Sequence, residues 1–378
     1  MKSLSKRALC LCIILLASTL PHIILHASAQ HEARVAVILP FKANNEASRK
    51  SLDFYRGFLL AADHLKRNGI SAHITAHDEG SATTPLEPTL TAAAPHADAL
   101  VGFYHQGHVN DAATFGLAHE MPVLLPFCTR ISSQVGGNPF VALPFPDDEA
   151  WAEETATLLT ATLGRAQVLV IQSESTSISH RTQLTIDRLK RKGAKLKALP
   201  IGATPYDIAD AMSKKMANLV VCAALDNDIV QSLTQKVRSV SQVKAKSRLA
   251  MLVQPEWYNG PHRQDGTWMG MEIFVPTIEF TAPQSKDVAS LTESYRYWFH
   301  TSPNGTPPAD FLTGYDMGIS ILSGLAHHGR NFLEKGQKTK GKFLDIAMKK
   351  SSEKACYTNH ALRLLQAKSD GTMSIISF

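Results

Sequence analysis

His105 and His108 form an H-x-x-H pair directly after a short apolar run. Imidazoles at that spacing can ligate zinc when further ligands close the coordination shell. The chain carries 16 histidines, enough for one such pair to arise by coincidence, and no metal ion is expected. Motifs for nucleophiles and cofactors are absent: there is no G-x-G-x-x-G, G-x-x-x-x-G-K-[ST], G-x-S-x-G or H-E-x-x-H. No catalytic residue and no cofactor are therefore expected, and the chain does not read as an enzyme. What remains is binding chemistry. Residues 173–179 (SESTSIS), with Ser173 and Ser175, concentrate hydroxyl donors. Trp257, next to Glu256, follows an apolar run and is a large aromatic of the kind that packs in cores or walls a pocket. The densest basic run, 188–192 (RLKRK), lacks interleaved aromatics. It reads as a solvated helix end whose charge suits the helix dipole, and no nucleic-acid partner is expected.

These residues must be positioned by elements, and the elements alternate. Residues 34–41 (RVAVILPF) form a short apolar, β-branched run suited to a buried strand. Ser48 and Ser51 are N-cap candidates for a helix whose apolar face carries Leu52, Tyr55, Leu59, Ala62 and Leu65, stopped at Gly69. Further strands are expected at 72–76, 99–104, 122–127 and 140–144, with a helix at 110–120. The rhythm restarts with acidic Asp147, Asp148 and Glu149 at a helix start. Strands at 167–172, 195–201, 219–223 and 249–253 alternate with helices from there. Continuous apolar strands separated by helices point to parallel sheets covered on both faces. The fold class expected is therefore α/β, with two doubly wound parallel-sheet lobes joined by hinge crossings.

Pro144-Phe145-Pro146 marks one hinge, and the extended run 272–280 (EIFVPTIEF) marks a second crossing. Helices are expected at 287–300 and 311–327. The last segment reads as a hairpin turning at Asp370-Gly371. The division that follows assigns 30–145 and 281–330 to lobe 1, and 146–280 and 331–378 to lobe 2. Ligands of open parallel sheets sit beyond the carboxyl ends of the strands. That rule selects the loops 42–48, 78–81, 105–108, 127–130, 173–179, 225–227 and 254–260.

The first 29 residues distort the composition. Lys2, Lys6 and Arg7, an apolar run at 8–16 and Ala27-Ser28-Ala29 make a secretory signal peptide. The apolar run is shorter than the roughly 20 residues of a membrane span, so no direct membrane insertion is expected. Three basic residues and no acidic ones leave with it, halving the net charge of +6 to +3. The charge therefore says little about anionic partners. Cys10 and Cys12 leave too, and the widely spaced Cys128, Cys222 and Cys356 are expected as small buried apolar residues.

The opening SLDFYRGFLLAADHLKRNG, the stretches DALVGFYHQGHV and MPVLLP, and the late LTESYRYWFHTSP…FLTGYDMGISIL resemble the type I periplasmic binding proteins, the leucine/isoleucine/valine-binding protein family. Gly314-Tyr315-Asp316 carries the likeness most clearly. The resemblance spans the mature chain and implies the periplasmic binding protein-like I fold, a periplasmic location and closure of two lobes on a small polar metabolite such as an amino acid. It implies as partners a small-molecule ligand and a membrane transporter or receptor. In amino-acid-binding members the loop after the third strand holds the ligand carboxylate. Here that loop is His105-Gln106-Gly107-His108, without the usual serine pair. The family's P-[AS]-[AS]-T loop corresponds to Pro126-Phe127-Cys128-Thr129, with Thr129 matching and Phe127 replacing a small residue. Glu256 is the candidate for meeting a ligand amine. The candidate ligand-binding residues are then Thr129 and Glu256 as polar anchors, His105 and Gln106 of the third-strand loop, Tyr104 and Trp257 as apolar walls, and Ser173 and Ser175 as donors. Phe127 also favours an alternative, an envelope interaction or regulatory protein that keeps the fold without a ligand.

Overall fold

The computed structural model describes residues 31–128, 131–172, 179–222, 227–243, 247–258, 268–280 and 285–377. The chain opens with β1 (Ala33–Leu39), α1 (Glu46–Arg67), β2 (Ala72–Asp78), α2 (Glu87–Ala93), β3 (Ala99–Gly102), α3 (Gln106–Ala118), β4 (Val123–Leu124), α4 (Ser133–Gly136) and β5 (Val141–Leu143). Alternation along β1 explains why it is apolar throughout. Val35, Val37 and Leu39 point into the cluster that holds Phe54 and Phe58 of α1, while Ala36 and Ile38 point to the opposite cluster with Leu90, Val109 and Ala112. A strand covered on both faces has no side free for polar residues.

The second series repeats the pattern: α5 (Asp148–Leu163), β6 (Ala166–Gln172), α6 (His180–Arg191), β7 (Lys195–Pro200), α7 (Pro205–Ala211), β8 (Ala217–Cys222), α8 (Asn227–Val243), β9 (Leu249–Leu252), α9 (Pro255–Tyr258) and β10 (Glu272–Thr277). Along β6, Leu169 and Ile171 face one core and Val168 and Val170 the other. Then come α10 (Lys286–Phe299), α11 (Ala309–His328), β11 (Lys338–Thr339), β12 (Ile346–Lys350), β13 (Tyr357–Asn359), β14 (Arg363–Ala367) and β15 (Met373–Ile376). One sheet runs β11-β12-β13-β5-β4-β3-β1-β2 and the other β15-β14-β10-β9-β8-β6-β7. All pairings are parallel except those of β11 with β12, β12 with β13, β10 with β14 and β14 with β15. The structure thus has the α/β two-sheet architecture read from the sequence, including the closing hairpin.

Three expectations change. The segment after 330 does not belong wholly to the second lobe. β11, β12 and β13 complete the first sheet, with β13 pairing parallel to β5, and only β14 and β15 join the second. The reason is that Tyr357 and Ile346 carry apolar side chains into the first core, whereas Leu364 and Leu365 enter the cores of the second lobe. Secondly, α3 begins at Gln106 rather than at 110, so the second histidine of the H-x-x-H pair sits in a first helical turn and not in a loop. Thirdly, the cap of α1 is Asn45, not Ser48 or Ser51. The Asn45 side chain accepts the Ser48 N–H at 3.1 Å while the Ser48 hydroxyl accepts the Asn45 N–H at 3.1 Å, a reciprocal capping box.

The chain passes between the lobes after β5, after β10 and after β13. Each departure is from the carboxyl end of a strand, and β13 lies parallel to β5. The carboxyl edges of the two sheets therefore flank one junction. Buried polar groups tie its strands together. Asn359 donates to the carbonyls of Pro144 (2.9 Å) and Asp345 (2.8 Å) and accepts the N–H of Ala347 and Ala361. Arg363 donates to the carbonyls of Phe280, Gly341 and Phe343 and to the Asp345 carboxylate.

Candidate functional site

At the carboxyl edge of the first sheet the strands end in aromatic residues. Phe41 follows β1, Tyr104 follows β3 and Phe127 follows β4, with Phe54 and Tyr55 contributed by α1. Ring centroids lie 5.3 Å apart for Phe41–Tyr55, 5.3 Å for Phe54–Phe127 and 5.5 Å for Tyr104–Phe127. Phe54 is fully buried, while Phe41, Tyr55, Tyr104 and Phe127 are half-buried. Such pairs prefer tilted and edge-on packing, which is what is found. The Phe127 ring occupies the edge of this layer, between Phe54 and Tyr104.

Beneath the layer the turn from β3 into α3 is built around a carboxylate. Phe103 has φ 71, a left-handed conformation that bulky residues adopt only where the surroundings dictate it. The next two N–H groups, of Tyr104 and His105, both donate to Glu79, at 2.8 and 3.0 Å. His108 Nδ1 meets the same carboxylate at 2.8 Å and its Nε2 meets the Thr84 carbonyl at 2.8 Å. His105 Nε2 lies 3.2 Å from the Gly80 carbonyl. Both nitrogens of His108 are thus held by protein acceptors. Among the described residues no group of three His, Cys, Asp or Glu side chains is arranged to hold a metal ion. Glu79 is the residue that sequence reading missed. The loop 78–81 was selected by its position after a strand, but an acid at a strand end reads as solvated unless its burial is known.

The other sequence-selected residues fall as follows. Tyr104 and His105 stand at this turn, half-buried, and Gln106 opens α3 and is exposed. Trp257, in α9, is 7% exposed and packs into the second-lobe core with Tyr258, Trp268 and Met271. Of the two roles the sequence left open for it, core or pocket wall, the burial of its ring in this cluster favours the core. Glu256, beside it, points to solvent. Gln254, which precedes them, donates to the Thr182 hydroxyl at 3.3 Å. Thr129, Ser173 and Ser175 lie outside the described residues. Cys128, Cys222 and Cys356 are all buried among apolar side chains. Burial, with the Asp147 charge nearby, pushes the Cys356 thiol up to about 11, which removes its thiolate at neutral pH.

Charged groups line the junction between the edges. Burial and the neighbouring Asp310 charge push the Glu279 carboxyl, just after β10, up to about 7, against a lowering hydrogen bond from Thr313. Asp310 is itself raised by burial and by Asp53 and Glu46, against Lys50. Lys50, one helical turn before Phe54 on α1, is paired with Glu46 at 2.9 Å, and that bond raises its ammonium above the ordinary value against burial. Glu154 of α5 is bound to His360 at 3.2 Å and to Lys349 of β12 at 3.6 Å. Burial raises its carboxyl, but these two partners outweigh burial and hold it below its ordinary value.

No family model matches the sequence, and no curated protein matches it. Solved structures do match. A putative branched-chain amino acid ABC transporter protein from Rhodospirillum rubrum is 14% identical over 92% of this chain and 100% of that one, with a TM-score of 0.60. The C-domain of LpoA from Haemophilus influenzae, a regulator of PBP1A, is 13% identical over 91% of this chain and 100% of that one, with a TM-score of 0.55. An ABC-type branched-chain amino acid transporter protein from Rhodopseudomonas palustris is 12% identical over 92% and 95%, with a TM-score of 0.51. The chain has the fold of the type I periplasmic binding proteins.

Proposed function

We infer that this protein is an exported, non-enzymatic solute-binding receptor. Two lobes close on a small molecule, and a membrane transporter or signalling partner reads the closed state. One observation carries the reading: a half-buried aromatic layer stands at the carboxyl edge of a parallel sheet, beside the junction where the second sheet's edge also ends. Ligands of open parallel sheets bind at that edge, and a ligand that bridges both lobes shifts the open–closed equilibrium. Export rests on the basic, apolar and A-x-A pattern of the first 29 residues. Among the described residues no helix is long and apolar enough to cross a membrane.

A second reading has its own support. Glu79 already fills the donors of the β3–α3 turn and Phe127 covers part of the edge, as in a protein that has kept the fold for contact with an envelope partner. The regulator from Haemophilus influenzae has a comparable fold match. A thermal-shift screen with amino acids, small aromatic molecules and sugars separates the two. Under the receptor reading, one solute at 100 times its Kd adds about 2.7 kcal/mol to stability. Stabilisation by no solute, together with stabilisation by an envelope protein, replaces the first reading with the second.

A further inference from the structure

Glu79 sits in the loop after β2 and is 1% exposed, and His108 beside it is 3% exposed. A carboxylate this deep persists only when its acceptor sites are filled. They are filled, by the N–H groups of Tyr104 and His105 and by His108 Nδ1. His108 Nε2 faces the Thr84 carbonyl, so the ring is held by a protein acceptor on either side. The turn leading into a helix, with its outward N–H groups and the positive end of the dipole, is where an open parallel sheet receives an anionic group from outside. Here the anion comes from the chain itself. A second carboxylate placed alongside would find the Tyr104 and His105 N–H groups already taken and the dipole already satisfied. Above the turn stand the half-buried rings of Phe41, Tyr55, Tyr104 and Phe127, and Lys50 at their margin is already paired with Glu46.

We propose that Glu79 is a specificity-determining residue: its carboxylate takes the place of a ligand's, and the first lobe receives a solute through an uncharged, aromatic or aliphatic end. This rests on the receptor reading for the solute, but not for the filled turn, and the two fail separately. The full chain and its Glu79→Ala variant are melted in sodium acetate and in sodium chloride at equal ionic strength. The variant melts lower than the parent, and acetate raises its melting temperature saturably above the chloride value. The parent shows no acetate-specific rise. An equal rise in the parent overturns the proposal, as does a folded variant indifferent to acetate.

Where Glu79→Ala does not fold, the parent alone decides: saturable broadening of the 13C-acetate carboxyl signal by the parent overturns the proposal, and its absence supports it. Calorimetry with benzyl alcohol and benzoate reads the solute side, with Glu79→Gln as the isosteric variant. The parent binds benzyl alcohol at least tenfold more tightly than benzoate, and Glu79→Gln narrows that ratio at least threefold. A parent that prefers benzoate overturns the proposal and leaves the receptor reading standing. A Glu79→Ala variant that takes acetate, in a protein whose parent takes no solute from the full screen, removes the receptor reading and leaves the internal carboxylate in place.

Discussion

At the scale of single residues, the groups that matter most are acids held away from water. Glu279 lies just past β10 with its carboxyl raised from 4.5 to about 7. For an acid with a raised native value, the folded state binds a proton that the unfolded chain has released. Its contribution to stability is therefore complete below about pH 4.5 and is lost as pH rises through about 7. Glu279→Gln removes that dependence. Urea unfolding at pH 4.5 and pH 8 should show the fall in stability between them shrinking by up to about 3 kcal/mol; an unchanged fall would assign it to other carboxylates. Asp316 is held differently. It is buried, accepts the N–H groups of Lys342, Phe343 and Leu344 at 2.8 Å each, and is raised to about 6 by a burial that those bonds only partly offset. Asp316→Ala strips three buried donors of their acceptor. Urea unfolding at pH 7 should register a loss of about 3 kcal/mol, and a loss below about 1 kcal/mol would mean that water replaces the carboxylate.

At the scale of elements, the Gly-Tyr-Asp motif shows what the sequence discloses and what it withholds. The motif is visible as a likeness, and it lies within α11. Its meaning is a contact with α1, whose residues are some 250 positions away. A Cβ on Gly314 would stand 2.0 Å from the Phe54 carbonyl oxygen, and one on Gly57 would stand 2.1 Å from that of Phe311. Tyr315 reaches His64 at 3.1 Å, and Asp316 ties down the segment before β12. Gly314→Ala forces backbone against a side chain with no rotamer to yield, and overpacking of this kind costs about 1–3 kcal/mol. A melting temperature unchanged in Gly314→Ala would show that the helices can part at little cost. The alternating strands and helices were legible because β1 and β6 need apolar residues on both faces. Trp257 and Glu79 were not, for opposite versions of one reason. Trp257 turns inward and Glu79 goes under the edge because of where one short turn points, and spacing along the chain carries no record of that direction.

At the scale of the molecule, the question is how two lobes remain one folding unit while still able to move. Sequence marked the proline-bounded crossing and the run 272–280, but not the third passage after β13, because a three-residue strand is too short to show a period. That passage is where the lobes are bound together. Arg363, at the start of β14, reaches the carbonyls of Phe280, Gly341 and Phe343 and the buried Asp345, while Asn359 at the end of β13 reaches Pro144. All three crossings thus share one buried polar network, and hinge motion must pivot about it rather than break it. Removing one partner of a buried ion pair leaves the other uncompensated, at a cost of about 3–5 kcal/mol. Arg363→Ala therefore costs that much, and because the loss falls at the junction it also uncouples the lobes. Calorimetry of the parent should give one cooperative unfolding transition, and that of Arg363→Ala two, the lower one shifted furthest. A single transition in Arg363→Ala, lowered as a whole, would mean that the apolar cores and not this network make the lobes unfold together. Arg363→Lys sharpens the comparison: it keeps the charge against Asp345 but cannot span four acceptors with one ammonium, so it should fall between the parent and the alanine variant.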